Sequence, residues 1–370
     1  MIYYITSLKY APGSAKEFIL IEKMLKNEGK KTYYILASGY SKFLSNDDNV
    51  LYLTSGNSIK DLILESLASI FYFIKVFKFF LKHGSKKKLL IYNPHPLNPI
   101  IQLLVLLFGG SSSIFLHEPT KPAKDRQKLP ISDRVYLIIV YFFQYFSILL
   151  ANSVYCMSFY GFELFNKKFK IFSDKAKLVH LVIPNKTSET FIINKKYFSF
   201  IGNATQGKGI LEFFRLVKYS MSQINENSEL KYCIITSSNI DTYLQDLGDN
   251  YDGILTVINK NYISDSEIEN IIKKSYAIFL MHKTATQSGI LPLAFREGTA
   301  VIARKISAFK QYIISDVNGI LISENSSSQE WSYACYKILE NKEFFSKQSH
   351  QTYVKFFSQQ NLKKYYQDLI

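Results

Sequence analysis

The sequence predicts an α/β protein built from two doubly wound, parallel-sheet domains. Three observations carry that expectation. Short apolar runs alternate with amphipathic stretches through the first half, the pattern restarts near residue 197, and the polar, glycine-bearing segments fall just after the apolar runs. The segment TATQSGILPLAFREG, residues 284 to 298, shows the last feature best. Small and polar residues lead into Ser288-Gly289, and an apolar run with one proline follows. Such a strand-to-helix turn serves packing alone, or lets backbone N–H groups approach an anion.

The first half reads as strands at 2–7, 31–37, 50–53, 88–93, 112–117 and 153–156. Helices are expected at 15–28, closed by Gly29, and at 61–83, 98–108, 132–151 and from 159. The second half reads as strands at 197–202, 230–236, 253–257, 275–281, 300–303 and 319–322. Its helices fall at 209–223, 241–247, 265–274, 290–297, 306–314, 328–341 and 359–370. The expected domains are 1–184 and 185–344, joined near 184–196, with a C-terminal helix at about 345–370 packing back on the first.

The 370 residues suffice for two such domains, and 47% apolar with 20% charged residues is globular material. Cys156, Cys233 and Cys335 lie far apart without CxxC spacing, which points to a reducing compartment and to neither disulfides nor zinc. Residues 1–5 lack the basic start of a signal peptide and read as a buried strand. Net charge is +15, yet the longest basic run is Lys86-Lys87-Lys88. Nucleic acid is one reading of that charge; an anionic membrane surface or a phosphate-bearing ligand is the other. Two apolar segments favour the second. Residues 70–82 are aromatic, with Lys75, Lys78 and Lys82 spaced to share a helix face. Residues 135–151 are interrupted only by Gln144 and Ser147. The latter is at the lower edge of transmembrane length, and a helix in the core or in the membrane interface is expected rather than a span.

Open parallel sheets bind ligands at the carboxyl ends of their strands, expected here in a cleft between the domains. Four strand ends are informative. After the first, Pro12-Gly13 makes a turn and Ser14 is placed to cap a helix; a plain turn would use the same residues, and no GxGxxG is present. At the second, His117-Glu118-Pro119-Thr120 leads into a loop with Lys121, Lys124, Arg126 and Lys128. An imidazole there can hydrogen-bond a sugar or act as a base, or be a structural strand-end histidine. At the third, Gly202-Asn203-Ala-Thr-Gln-Gly207-Lys208-Gly209 offers backbone amides and one ammonium to a phosphate. Gly209 stands where a Walker loop needs Ser or Thr, which argues against a nucleoside triphosphatase. The fourth is TATQSG itself, where a helix starting at Ser288 or Gly289 would set free N–H groups opposite Lys208, with Pro292 in its first turn.

In this order the residues resemble the family 4 glycosyltransferases of GT-B fold. Lys208-Gly209 is similar to the family's KG loop, and Ser288-Gly289 through Gly298 and Val301-Ile302-Ala303 to its diphosphate segment. Pro12-Gly13-Ser14 resembles the acceptor-side loop, 92–98 with His95 the HxHNP type of segment, His117-Glu118-Pro119 an HDP segment, and Cys156-Met157-Ser158 the strand end before the linker. The resemblance implies two Rossmann-like domains facing a central cleft, and retaining transfer from a nucleotide-diphosphate sugar. Neither a cofactor nor an obligate metal is implied. Lys208 and the amides after Ser288 would stabilise the leaving diphosphate, and His117 would touch the transferred sugar or the acceptor. The donor side would comprise Gly202, Asn203, Gly207, Lys208, Gly209, Thr286, Gln287, Ser288, Gly289 and Ile290. The acceptor side would comprise Gly13, Ser14, His95 and Glu118.

The family's two glutamates, eight positions apart, fall at Ala285 and Leu293 here, and its arginine falls at Asn203. A subset of the family carries TQSG in place of the first acid. Ribose and phosphate contacts would then fall to Thr284, Thr286, Gln287 or Asn203. No D-x-D of the metal-dependent kind occurs, and Asp265-Ser-Glu267 is explained by helix capping. The aromatic segment and positive charge point to a lipid-linked acceptor of bacterial surface glycan, O-antigen or capsule. The expected location is the cytoplasm, peripheral to the inner face of the cytoplasmic membrane. Alternatives are a non-catalytic nucleotide or sugar binder, which would release no nucleotide diphosphate, and a nucleic-acid binder, which would show steep salt dependence.

Overall fold

The computed structural model describes residues 1–44, 49–54, 69–83, 87–119, 131–185, 194–223, 230–248 and 251–369. The expected helix turn at 61–68, Lys86, Thr120 and the lysines and arginine of 121–128 lie outside them. The chain forms two compact units, residues 1–181 with 362–370 and residues 182–361.

The first unit holds strands β1 (Ile2–Ser7), β2 (Lys31–Ala37), β3 (Val50–Thr54), β4 (Lys87–Tyr92), β5 (Ser111–Leu116), β6 (Ser153–Cys156) and β7 (Ala176–Leu178). Within residues 1–181 its described α-helices are α1 (Pro12–Asn27), α2 (Ser69–His83), α3 (Asn98–Leu107), α4 (Ile131–Leu150) and α5 (Phe159–Lys168). The sheet order is β3-β2-β1-β4-β5-β6-β7, parallel throughout. Its strands read as continuous apolar runs because helices cover both faces.

The second unit holds β8 (Tyr197–Ile201), α6 (Ile210–Ser222), β9 (Tyr232–Thr236), α7 (Asp241–Leu247), β10 (Leu255–Asn259), α8 (Asp265–Lys273) and β11 (Ser275–Leu280). It continues with α9 (Ile290–Arg296), β12 (Ala300–Arg304), α10 (Ser307–Lys310), β13 (Gly319–Ile322), α11 (Ser328–Glu340) and α12 (Lys342–Phe356). The order is β10-β9-β8-β11-β12-β13, again parallel. In each sheet the strand order reverses beside the first strand, between β1 and β4 and between β8 and β11. That is where doubly wound sheets open a crevice.

Several expectations shift. Helix α1 begins at Pro12, so Gly13 and Ser14 lie inside its first turn, and Ala11 is the cap, without a side-chain bond. Proline at the first helical position supplies the right φ and lacks only an N–H that had no partner. The strand β7, three residues at the sheet edge, is too short for its alternation to be read. The helix expected at 306–314 closes after Lys310. Ser264 and Glu267 form a capping box at α8, as the D-S-E reading implied.

The C-terminal expectation is corrected. Residues 345–361 stay with the second unit, because α12 turns Tyr353, followed by Phe357, into the core that also holds Phe295 of α9. Only 362–370 return to the first. There Tyr366 is buried against Phe115 and Tyr155, at ring distances of 5.7 and 5.6 Å. Lys88 Nζ donates to the Asp368 carbonyl at 2.6 Å, Tyr3 donates to the Leu369 carbonyl, and Lys363 pairs with Glu28 at 2.6 Å.

Candidate functional site

At the carboxyl edge of the second sheet, two loops from neighbouring strands are locked together. The loop after β8 runs through Gly202, at φ +106, and a short turn, Gln206–Lys208, to Gly209, at φ +82, which caps α6. A Cβ on Gly209 would sit 2.4 Å from Met281 Cβ and 2.5 Å from Met281 O, so only glycine lets the start of α6 press against the end of β11. Lys283 N–H donates to Gly207 O at 2.8 Å and ties the second loop to the first.

Lys208 stands in this seam. Its Nζ lies 3.6 Å from where a Cβ on Gly202 would be. Burial lowers its pKa, and among the described residues no acid pairs with it. Glu212, one turn into α6, is engaged by Arg304 at 3.1 Å and approached by Lys283 at 3.7 Å. Beside the lysine stands His282, which the sequence reading passed over. Burial, with the Lys208 charge added, holds this imidazole down at about 4, so it is neutral near pH 7. Its ring packs edge-on to Phe309 at 5.5 Å, and its Nδ1 is buried without a hydrogen-bond partner among the described residues. The half-buried ammonium, with no carboxylate paired to it among the described residues, leaves positive charge unmatched, and the neutral imidazole leaves one ring nitrogen unsatisfied.

Lys195 makes the contrast plain. At the opposite edge of the same sheet it too is buried and lowered, to about 7, mainly by burial. Its Nζ, however, donates to Ser275 O and Thr299 Oγ1, both at 2.8 Å, and lies 3.5 Å from Glu297 O. That lysine is spent on structure.

The TATQSG loop lies on the same seam. Thr284 is exposed, Thr286 buried, and Gln287 and Ser288 half-buried. Gly289 caps α9, which starts at Ile290, one residue from the expected position, with Pro292 in its first turn. The helix is only two turns long. Ala285 and Leu293, where glutamates were expected from the resemblance, pack against the hydrophobic core. Asn203 is exposed, and its carbonyl accepts from Thr205 N–H at 3.1 Å.

The first unit builds its carboxyl edge differently. His117 follows β5, and its Nε2 lies 3.3 Å from Oε2 of Glu17, a buried acid on α1. Burial pulls the imidazole down, but the Glu17 carboxylate, with Glu118 adding, more than offsets this, and its pKa is raised. Tyr366 from the returning C-terminus reaches Glu17 Oε1 at 3.5 Å. Glu118 is exposed. His95 is buried, and its Nδ1 accepts from Leu97 N–H at 3.2 Å, so it shapes the turn between β4 and α3. At the strand reversal, Asn93 adopts φ +62 and donates to Ser7 Oγ at 3.0 Å. Ser7 in turn shares a hydrogen with Tyr40 OH at 2.8 Å. Asn98 Nδ2 donates to Asn93 O, and Ala11 N–H to Tyr40 OH, both at 3.0 Å.

Residues 184–363, nearly the whole second unit, match the family model of the glycosyl transferases group 1. The chain is a glycosyltransferase of GT-B fold. Solved structures align with its full length at low identity. A pneumococcal O-GlcNAc transferase, GtfA, in complex with UDP and GlcNAc, superposes with a TM-score of 0.70 at 11% identity, covering 100% of this chain and 98% of that one. A glycosyltransferase from Rickettsia africae gives 0.70 at 14%, covering 100% and 98%. Anabaena HepE with UDP and glucose gives 0.68 at 13%, covering 100% and 99%. No curated protein matches the chain.

Among the described residues of this glycosyltransferase, no cluster of three or more His, Cys, Asp or Glu is placed to hold a metal. Its three cysteines are free and buried. The residues that sequence reading missed, Glu17, Tyr40, Asn93 and His282, share a cause. Each gains its role from a partner on another strand or helix. Only Asn93, between a strand and Pro94, left a local trace.

Proposed function

We propose that the protein transfers a sugar, with retention, from a nucleotide-diphosphate sugar to a lipid-linked or oligosaccharide acceptor in bacterial surface glycan assembly, O-antigen or capsule. It would work in the cytoplasm at the anionic inner face of the membrane. The observation that carries the donor half is the unmatched pair Lys208 and His282 on the seam between β8 and β11. A diphosphate there receives a charge-assisted hydrogen bond from Lys208 and, in the tautomer with the proton on Nδ1, one from His282, and TATQSG supplies further polar contacts. As the glycosidic bond breaks, negative charge grows on the leaving diphosphate, and these fixed donors stabilise it without a metal. The UDP held by GtfA and HepE makes uridine nucleotides the first donors to try. His117, oriented by Glu17, is the group for the transferred sugar or the acceptor hydroxyl.

The test is release of nucleotide diphosphate from a panel of nucleotide sugars, with lipid-linked and soluble acceptors. Turnover with at least one donor, and its loss in Lys208→Ala, is expected. If no donor is turned over and Lys208→Ala binds UDP as wild type does, the reading fails.

A further inference from the structure

We infer that helices α2, α3 and α4 form a membrane-docking face that seats the protein on an anionic phospholipid bilayer. The face deepens the reading of a membrane-bound acceptor and rests on it for its purpose, though not for its geometry. These three helices lie side by side, α3 packed against both others. All three carry apolar residues on the outer face as well as the inner one, and α3 and α4 turn their glutamines inward. Helix α4 buries Gln144 and Ser147, each 3% exposed, and turns Ile138, 69% exposed, and Phe142 outward. Ile131, Val135, Ile138, Phe142, Tyr145 and Leu149 recur at three- and four-residue steps, one continuous outer stripe. Helix α3 buries Gln102, whose Nε2 donates to Ser112 Oγ at 2.9 Å and Ser147 O at 3.0 Å, and exposes Leu103, Leu106 and Leu107, the last at 79%. On α2 the exposed residues are Ile70, Phe71, Phe73, Ile74, Phe77 and Leu81, while Val76 and Phe80 fill the core.

Scattered exposed apolar residues are ordinary, and in the second unit Tyr262, Ile314 and Phe344 stand apart in the sequence, with Tyr333 and Tyr336 the one close pair among the described residues. A patch across three adjacent helices, two of which bury a glutamine while exposing apolar residues, is different, and marks an apolar surrounding on that side. Charge selects the occupant. Lys75, Lys78 and Lys82, all exposed, run along one edge of the α2 stripe, where long stems lie on acyl chains while the ammonium reaches the headgroups. The chain carries +15, which opposes self-association and favours an anionic surface. Among the described residues no helix is long and apolar enough to cross a membrane, so these helices lie on the bilayer.

Sedimentation with vesicles of phosphatidylglycerol and phosphatidylethanolamine, against pure phosphatidylcholine vesicles, tests the face on the full chain. Wild type is expected to pellet with the anionic vesicles, and more weakly as salt is raised. Phe71→Glu with Phe142→Glu should weaken partitioning by more than about tenfold, and Lys75→Glu, Lys78→Glu, Lys82→Glu together by about 100-fold. UDP affinity and thermal midpoint should be unchanged in both, which excludes misfolding. The proposal is overturned if wild type stays in the supernatant, or if both variants pellet as wild type does. It is equally overturned if light scattering shows a wild-type dimer that the phenylalanine substitutions split, with no vesicle binding. Loss of vesicle binding alongside normal turnover of a soluble acceptor sinks this face and leaves the transferase reading intact. Vesicle binding by a chain that turns over no donor does the reverse.

Discussion

The two units have the same parallel, doubly wound plan, yet their carboxyl edges are finished in opposite ways. In the first, polar groups are matched from within: Ser7 with Tyr40 and Asn93, and His117 with Glu17. In the second, the Lys208 ammonium stands beside a neutral His282, and among the described residues no acid pairs with either. A matched edge suits a neutral ligand such as a sugar hydroxyl. An unmatched cationic edge suits a diphosphate, as proposed. The topology is shared, and the proposed division of labour rests on which loop residues are left without a counter-charge.

The sharpest way to break the comparison is His117→Ala. Removing a general acid or base should cut turnover by about 10²- to 10⁴-fold while calorimetry finds UDP affinity unchanged, because the histidine belongs to the first unit. A parallel loss of affinity would refute the division. Its companion, Glu17→Gln, should move the His117 titration to lower pH in a proton NMR experiment. The carboxylate raises that pKa, so removing it can only let burial pull it down. Next is Lys208→Ala, expected to cost about 10²- to 10³-fold in kcat and to weaken UDP binding; Lys208→Arg should restore part of the affinity. His282→Ala should weaken UDP binding by about 10- to 100-fold, the worth of one hydrogen bond to a charged group, with uridine alone binding as before. A wild-type UDP affinity would remove His282 from the site.

The smallest effect sharpens the contrast between two buried lysines. Lys195→Met should leave UDP affinity alone and change only stability. The folded-state pKa of Lys195 is lowered to about 7, so above that pH the unfolded chain holds a proton that the folded chain has shed. Stability contributed by this group therefore rises with pH from about 7 towards the ordinary lysine value of 10.5. Urea titrations across that window should show the slope in wild type and a flatter dependence in the variant. An unchanged slope would show that Lys195 is not the group responsible.

Much of this molecule is written locally. The alternation of apolar runs and amphipathic segments set the two sheets, since each strand is short, apolar and bounded by turn residues. Gly202 and Gly209 could be read as positions of close approach, and Lys208-Gly209 and TATQSG as ligand loops, because strand ends in open sheets are where ligands sit. Composition alone raised the membrane question, through +15 charge and two apolar segments. What the sequence could not hold is pairing across distance. Glu17 meets His117 after a separation of 100 residues, and Tyr366 comes from the far end of the chain to support Glu17. His282 acquires its meaning from a lysine on the neighbouring strand's loop. Which face of α3 and α4 points outward was likewise undecided, for a helix with apolar residues on both sides has no preferred inside until Gln102 finds Ser112 and the backbone carbonyl of Ser147, and Gln144 the carbonyl of Pro119. Periodicity is a property of consecutive residues and survives in the sequence; the matching of charges is a property of folded neighbours, and only the tertiary structure decides it.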